Sequence, residues 1–388
     1  MSRFIPKSKK AKHEKSEEEK PEKEKFKKIT YADSFTGSFS IAANKDDLLS
    51  ILRTSKLSGK SLHDLIKMRS GSKALKKQFV LFRSVWKAAV EPGESLANMT
   101  RYKLGGALEQ AVNLVNGSQE VEKYLALLKH LHLVPDLQEG DPQWAGSWMP
   151  VLRFHAKCVA FSRKEDDTRV VPVRLPARRG LSPPLKRRAE EAARPPTETG
   201  LPGDDEDPTG DESIVNAALI LFLDAAASLV RSSQCEFTMV RVPFIANFQH
   251  ATFTALTDGA LWVRSTEAIR GIIEVKKARR SKIGDKVTMQ EAAELVGWIM
   301  NSQPWEEAYS GYKCLICEDG DEAWLSFAKP TEPYAAYLRD GTVDEDALLI
   351  VERYGPYRVD NAEHMLLLLY AVVAIYLQAV TFDNVSQA

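Results

Sequence analysis

Three residues of this 388-residue chain, Asp258, Glu274 and Lys276, combine types and spacing that can do chemistry. Asp258-Gly259 leads into Ala260-Leu-Trp-Val263, a short apolar run bounded by turn residues, which reads as a strand. Gly271-Ile-Ile-Glu274-Val-Lys276 reads as a second strand ending in an alternating triplet. Side chains alternate across a strand, so Glu274 and Lys276 share one face while Val275 enters the opposite layer. Charges at the end of a β-branched strand cost solvation energy unless they are paired. Asp258, on the neighbouring strand, is the natural partner. Two carboxylates and one ammonium at a sheet edge make a site for Mg²⁺ or Mn²⁺, with hard oxygen ligands and a lysine beside an attacking water.

The flanking elements must position these groups. Val287 to Met300 is amphipathic, with Met289, Ala292, Ala293, Val296, Ile299 and Met300 as its buried stripe. Gln290, Glu291 and Glu294 fall outside that stripe. Gln290 lies at the end nearest the strands and can reach the site, whereas helix solvation accounts for Glu291 and Glu294. Between strand and helix, Lys277, Arg279, Arg280 and Lys282 form a basic loop placed to contact phosphates. Upstream, Val215, Ala218, Leu219, Phe222, Ala226, Leu229 and Val230 line one face of a helix capped by Asp211. Glu212 falls in its first turn, where the helix dipole favours a carboxylate. Glu236 to Val242 and Phe253 to Val263 read as strands, with Asp258 midway along the second. Downstream come a hairpin (Tyr312 to Cys317, turn Glu318 to Asp321, Ala323 to Phe327), a short helix or turn at Tyr334 to Leu338, a strand at Leu348 to Val351 and a helix at Ala362 to Thr381. The order predicts an α/β sandwich around a mixed sheet.

At Asp258, Glu274-Val-Lys276 and Gln290 the chain resembles the PD-(D/E)XK nuclease superfamily, most closely the nuclease-like proteins common in fungal genomes. The resemblance covers roughly Glu212 to the C-terminus. It implies a restriction-endonuclease-like mixed sheet flanked by helices. It also implies that Asp258 and Glu274 hold Mg²⁺ or Mn²⁺, and that Lys276 positions or activates water for hydrolysis of DNA or RNA. The family's opening helix often supplies a Glu, which would make Glu212 an outer metal or water contact. Thr257 stands where the motif's name has proline. Glu294 stands where the family helix often has Tyr four residues after Gln, which separates the chain from the recombinase-like subclass. The alternative is a catalytically silent nuclease-like module that binds nucleic acid or protein.

The hydrophobic fraction of 44% and aromatic fraction of 9% suit a globular protein with a substantial core. Formal net charge is zero, so any nucleic-acid binding must come from local patches. The four scattered cysteines do not make a disulfide framework and favour a reducing compartment. Cys314 and Cys317, three apart on a strand, face opposite sides, which argues against zinc.

Residues 1–35, with the Lys/Glu tract Lys7 to Lys28, read as a disordered tail. Residues 36–162 read as a helical domain whose partner the sequence does not name, with helices at Leu48 to Leu52, Leu62 to Ile66, Ala74 to Val90, Leu96 to Val115 and Val121 to Leu133. In Gln143 to Phe161, Trp144 and Trp148 suit core packing, and Val151-Leu-Arg-Phe154 suits a closing segment or strand. Residues 163–210 read as a disordered linker. Its Pro183-Pro-Leu-Lys-Arg-Arg188 run resembles a nuclear-import signal, with the cytoplasm as the alternative location. Met365 to Val380 is apolar but shorter than the ~20 residues of a membrane span, so it reads as a core helix, not a membrane segment.

Overall fold

The computed structural model describes residues 39–167, 210–302 and 308–387. The expected tail and the linker from residue 168, including its basic run, lie outside the described residues.

Runs rich in β-branched and aromatic residues form strands. In chain order they are β1 (Ser84–Trp86), β2 (Cys235–Thr238), β3 (Pro243–Asn247), β4 (Thr252–Leu256), β5 (Gly259–Val263), β6 (Ile269–Lys276), β7 (Lys313–Asp319), β8 (Glu322–Pro330) and β9 (Leu349–Arg358). One seven-stranded sheet has the order β1-β9-β8-β7-β6-β5-β2. Its β1–β9 and β6–β7 pairs are parallel and its other neighbours antiparallel. β3 and β4 form a separate hairpin.

The helices are α1 (Lys45–Thr54), α2 (Lys76–Leu81), α3 (Pro92–Ser95), α4 (Gly105–Asn116), α5 (Gln119–Leu128), α6 (Met149–Asp167), α7 (Gly210–Ser228), α8 (Arg280–Ile283), α9 (Asp285–Asn301), α10 (Tyr334–Asp340) and α11 (Ala362–Gln387). On one face of the sheet, α4 to α7 and α11 pack over Leu261, Val275, Cys314, Ile316 and Leu325. On the other, α1, α2, α9, α10 and the β3–β4 hairpin pack over Ile272, Leu315, Cys317 and Val351. The protein is therefore α/β, with a mixed sheet between two helical layers and a mostly helical N-terminal region. Cys314 and Cys317 fall on opposite faces, as strand alternation requires. α11 contains a stretch, Ala362–Phe382, long and apolar enough to cross a membrane by length and composition, yet 67% of it is buried in this core.

Several local expectations give way. Ala74 to Val90 is not one helix: α2 ends at Leu81, Arg83 adopts a left-handed backbone (φ 51°), and Ser84 to Trp86 become an edge strand. The apolar spacing suited a helix, but pairing with β9 takes over, and the Leu349 N–H donates to the Arg83 carbonyl at 3.0 Å. Residues 36–162 consequently do not stand apart as a domain. The described residues belong to one compact unit. Leu62 to Asp64 is a single 3₁₀ turn, and Leu96 to Tyr102 is 3₁₀ before α4 begins. Val151 to Phe154 lies in the helix α6, not a strand, and α6 runs on through Asp167, past the expected linker start. Trp148 is core, packed against Tyr124 and Phe222. α7 begins at Gly210, so Asp211 is already helical.

Candidate functional site

Phe253 to Val263 is two strands, and Asp258 sits in the break between them. The break lets its N–H donate to the Ile273 carbonyl of β6 (2.9 Å) while its Oδ2 accepts from the Val275 N–H (3.2 Å). Gly259 makes that approach possible, since a Cβ there would lie 2.3 Å from the Thr238 carbonyl oxygen. The second oxygen of Asp258, Oδ1, accepts from Arg241 Nη2 at 2.9 Å.

Glu274 points from β6 toward α9, with Val275 in the opposite layer. Its Oε1 forms an ion pair with Lys276 and accepts from Gln290 Nε2 at 2.5 Å. The same Gln290 nitrogen donates to Glu294 Oε1 at 2.9 Å. Both Glu274 Oε2 and Glu294 Oε2 are buried without a hydrogen-bond partner. Lys276 also donates to the Val275 carbonyl (2.8 Å) and reaches Glu212 at 3.4 Å. Glu274, Lys276, Gln290 and Glu212 are thus joined through their side chains, while Asp258 meets the same strand through the Val275 N–H.

Three residues at or beside this set were not anticipated. Glu291 and Glu294 were expected on the solvated face of their helix, but both are fully buried. α9 is enclosed by the sheet on one side and by the β3–β4 hairpin and Gly71 on the other, so no solvated face exists there. The available signal was the spacing: Glu294 is four residues from Gln290 and therefore shares its side of the helix. Arg241, in the segment joining β2 and β3, carried no sequence signal.

Burial pushes the Glu274 carboxyl well above its ordinary value, reinforced by the neighbouring charges of Glu294 and Asp258. Burial likewise pushes Glu294 up to about 8. Burial alone would lower Lys276, but the adjacent Glu274 charge outweighs it and the ammonium is held protonated.

The basic loop divides. Arg279 binds Asp321 at 2.5 and 2.6 Å. Arg280 is buried between Asp319 (2.5 Å) and Glu291, its guanidinium over the Trp324 ring. These two arginines serve internal ion pairs rather than phosphates, a correction forced by the acidic hairpin turn and by Glu291. Lys277 is exposed and Lys282 partly so. A cavity of about 840 Å³ lies elsewhere, between α6 and the 3₁₀ segment Leu131–Asp136, and holds none of these residues.

Among the described residues no three His, Cys, Asp or Glu side chains converge as a ready ligand set. Both Asp258 oxygens are already engaged, by Arg241 and by the Val275 N–H. The donors left open are the two carboxylate oxygens of Glu274 and Glu294, hard ligands of the kind divalent cations take. No family model, curated protein or solved structure matches the chain.

Proposed function

We propose that the chain is a metal-dependent phosphodiester hydrolase of restriction-endonuclease-like build, acting on DNA or RNA. The observation that carries this reading is the pair of buried, unpartnered oxygens on Glu274 and Glu294 beside a protonated Lys276. Burying carboxylates is costly, which is why burial raises both Glu274 and Glu294, and a divalent cation would take the place of the protons that burial favours. Glu274 and Glu294 would hold Mg²⁺ or Mn²⁺, joined by Asp258 once Arg241 lets go, with Glu212 at the rim. When bound, such an ion polarises a phosphoryl oxygen and lowers the pKa of a water.

Lys276 has a defined part. A protonated ammonium donates and cannot accept, so it steadies a phosphate oxygen or the attacking water and does not take the water's proton. Water attacks phosphorus, the P–O ester bond breaks, the water's proton passes to solvent, and the departing alkoxide takes a proton from solvent. Gln290 fixes both glutamates through one amide nitrogen. The exposed Lys277 remains as a candidate phosphate contact. Nuclear import through Pro183 to Arg188 would place the activity at the genome.

A second reading, the silent module that binds nucleic acid or protein, is favoured by the double engagement of Asp258 and the ion pair of Lys276. Cleavage of labelled single- and double-stranded DNA and RNA with Mg²⁺ or Mn²⁺ decides. Cutting by wild type that is lost in Asp258→Ala and Glu274→Ala supports hydrolysis. No cutting under either ion establishes the silent module.

A further inference from the structure

We propose that the groove between α6 and the 3₁₀ segment Leu131–Asp136 is a docking site for a partner protein, and that its occupant is an amphipathic helix with leucine-type side chains on one face and Asp or Glu along its flanks. The proposal is independent of the hydrolase reading, because the cavity of about 840 Å³ holds none of the residues in the carboxylate set.

The floor of the groove is apolar. Leu128, Leu131 and Val159 line it and are buried, with Phe154 half-buried beside them. Ala156 and Ala160 also line it and follow one another along the same side of α6, so their small side chains keep the groove open along the helix. Such a floor takes apolar anchors presented at helical spacing.

The rim is cationic. Lys129, His132, Arg153, Lys157 and Arg163 line the cavity against a single acid, Asp360. Asp360 is already held by Arg358 at 3.2 Å, while Arg163 stands 3.6 Å from it with a side chain 70% exposed. Lys129, Arg153 and Lys157 are exposed and have no acidic partner among the described residues. The chain as a whole is neutral, so the groove is a local excess of positive charge.

The spread of that charge selects the occupant. Arg153 and Arg163 lie roughly ten residues apart on one helix, about 15 Å of rise. A single phosphate or carboxylate would engage one end of the row, whereas an acidic helix presents carboxylates along all of it. A nucleic-acid backbone could follow the row, but its hydrated phosphates gain nothing from an apolar floor. The aromatic faces at hand are also taken, with Lys157 over the Phe154 ring at 4.6 Å and Arg153 over Trp144 at 5.7 Å, so bases have no ring to stack on. Burial of the anchors supplies affinity, and the cations steer the approach and fix the register.

The probe is a labelled synthetic helix of about 15 residues, with Leu at every third or fourth position and Glu between, and its binding to the full-length protein is followed by fluorescence anisotropy. Wild type should bind in the micromolar range, more weakly as salt rises. Arg153→Glu/Lys157→Glu turns two attractions into repulsions and should raise Kd about tenfold or more. Ala160→Trp fills the groove without touching its charge and should raise Kd about tenfold. All three positions are exposed, so the core is untouched in these variants. A peptide of the same composition with its leucines scattered around the helix should bind about tenfold more weakly than the probe. Absence of binding by wild type at about 1 mM probe overturns the proposal. So does equal affinity for the scattered peptide, or affinity unaltered in Ala160→Trp, either of which reduces the groove to a patch of charge. A labelled single-stranded DNA oligonucleotide that binds wild type more tightly than the probe and loses affinity in the double variant would put a nucleic acid in the groove and overturn it as well.

Discussion

Glu274 on β6 and Glu294 on α9 are bridged by a single nitrogen, Nε2 of Gln290, at 2.5 and 2.9 Å, and each keeps its other oxygen buried and unpartnered. A purely structural interface has little to gain from two carboxylates in that position, because their burial is repaid only when each lone pair finds a partner. The arrangement resembles a socket more than a strut.

Glu294→Gln should therefore separate stability from binding. Above about pH 8, where Glu294 carries its charge, an uncharged amide that can donate to Glu274 should make the metal-free protein about 1–2 kcal/mol more stable, with the gain shrinking as pH falls below about 8 and Glu294 takes up its proton. Mn²⁺ affinity should fall about 10- to 100-fold. Urea denaturation and calorimetry read the two effects. Unchanged Mn²⁺ affinity would remove Glu294 from the site.

Lys276→Ala leaves the buried Glu274 without its ion-pair partner and should cost a few kcal/mol of stability, while cleavage by the folded variant falls by ~10²–10³, the usual cost of removing a preorganised charge at a developing anion. Arginine should rescue poorly, since its fork has a different reach. The readout is single-turnover cleavage of labelled DNA and RNA. A variant that cuts at the wild-type rate would place the essential cation elsewhere, with Arg241 the first candidate.

Arg280 and Lys277 are neighbours in sequence with opposite expected phenotypes. Arg280→Met strands Asp319 as a buried carboxylate, leaves Glu291 only the Arg353 guanidinium at 3.7 Å as an ion-pair partner, and should cost about 3–5 kcal/mol. Lys277→Ala, at an exposed position, should change stability by less than about 0.5 kcal/mol while lowering the salt slope of nucleic-acid binding by about one. Denaturation curves and a salt titration of binding decide. Equal losses of stability in the two variants would contradict the division of the loop.

The site was legible in outline because strand periodicity is local. Two spaced apolar runs are enough to place Glu274 and Lys276 on one face and Val275 in the opposite layer. What the sequence hid was set by distant segments. Glu291 and Glu294 look like solvated helix positions until β3, β4 and the loop at Gly71 close over α9. Arg279 and Arg280 look like a phosphate loop until the β7–β8 turn brings Asp319 and Asp321 beside them. The run ending in Trp86 has helical spacing, and only β9, more than two hundred residues away, makes it a strand.

The pairing of β1 with β9 has a thermodynamic consequence. Trp86 is 4% exposed, with the Arg353 guanidinium 4.6 Å from its ring centroid. Trp86→Ala should cost about 3–5 kcal/mol. Because β1 belongs to the main sheet, unfolding should remain a single transition when followed by both tryptophan fluorescence and far-ultraviolet dichroism. Two separated transitions would restore the N-terminal region as an independent domain.

His155 offers a pH test far from the carboxylate cluster. It is buried on α6, its ring 6.4 Å from that of Tyr124 and 6.1 Å from that of Phe222, and neither ring nitrogen has a hydrogen-bond partner. Burial pushes it down from 6.5 to about 3. Below pH 6.5 the unfolded chain takes a proton that the folded chain refuses, so stability is lost as pH falls from 6.5 toward 3. The loss approaches ~1.4 kcal/mol per pH unit in the middle of that window. Other groups titrate in the same range, so the informative quantity is a difference. Relative to His155→Phe, wild type should lose ground steadily between pH 6.5 and pH 3 and run parallel above pH 7. A difference that stays constant across the whole range would mean that His155 accepts its proton in the folded state.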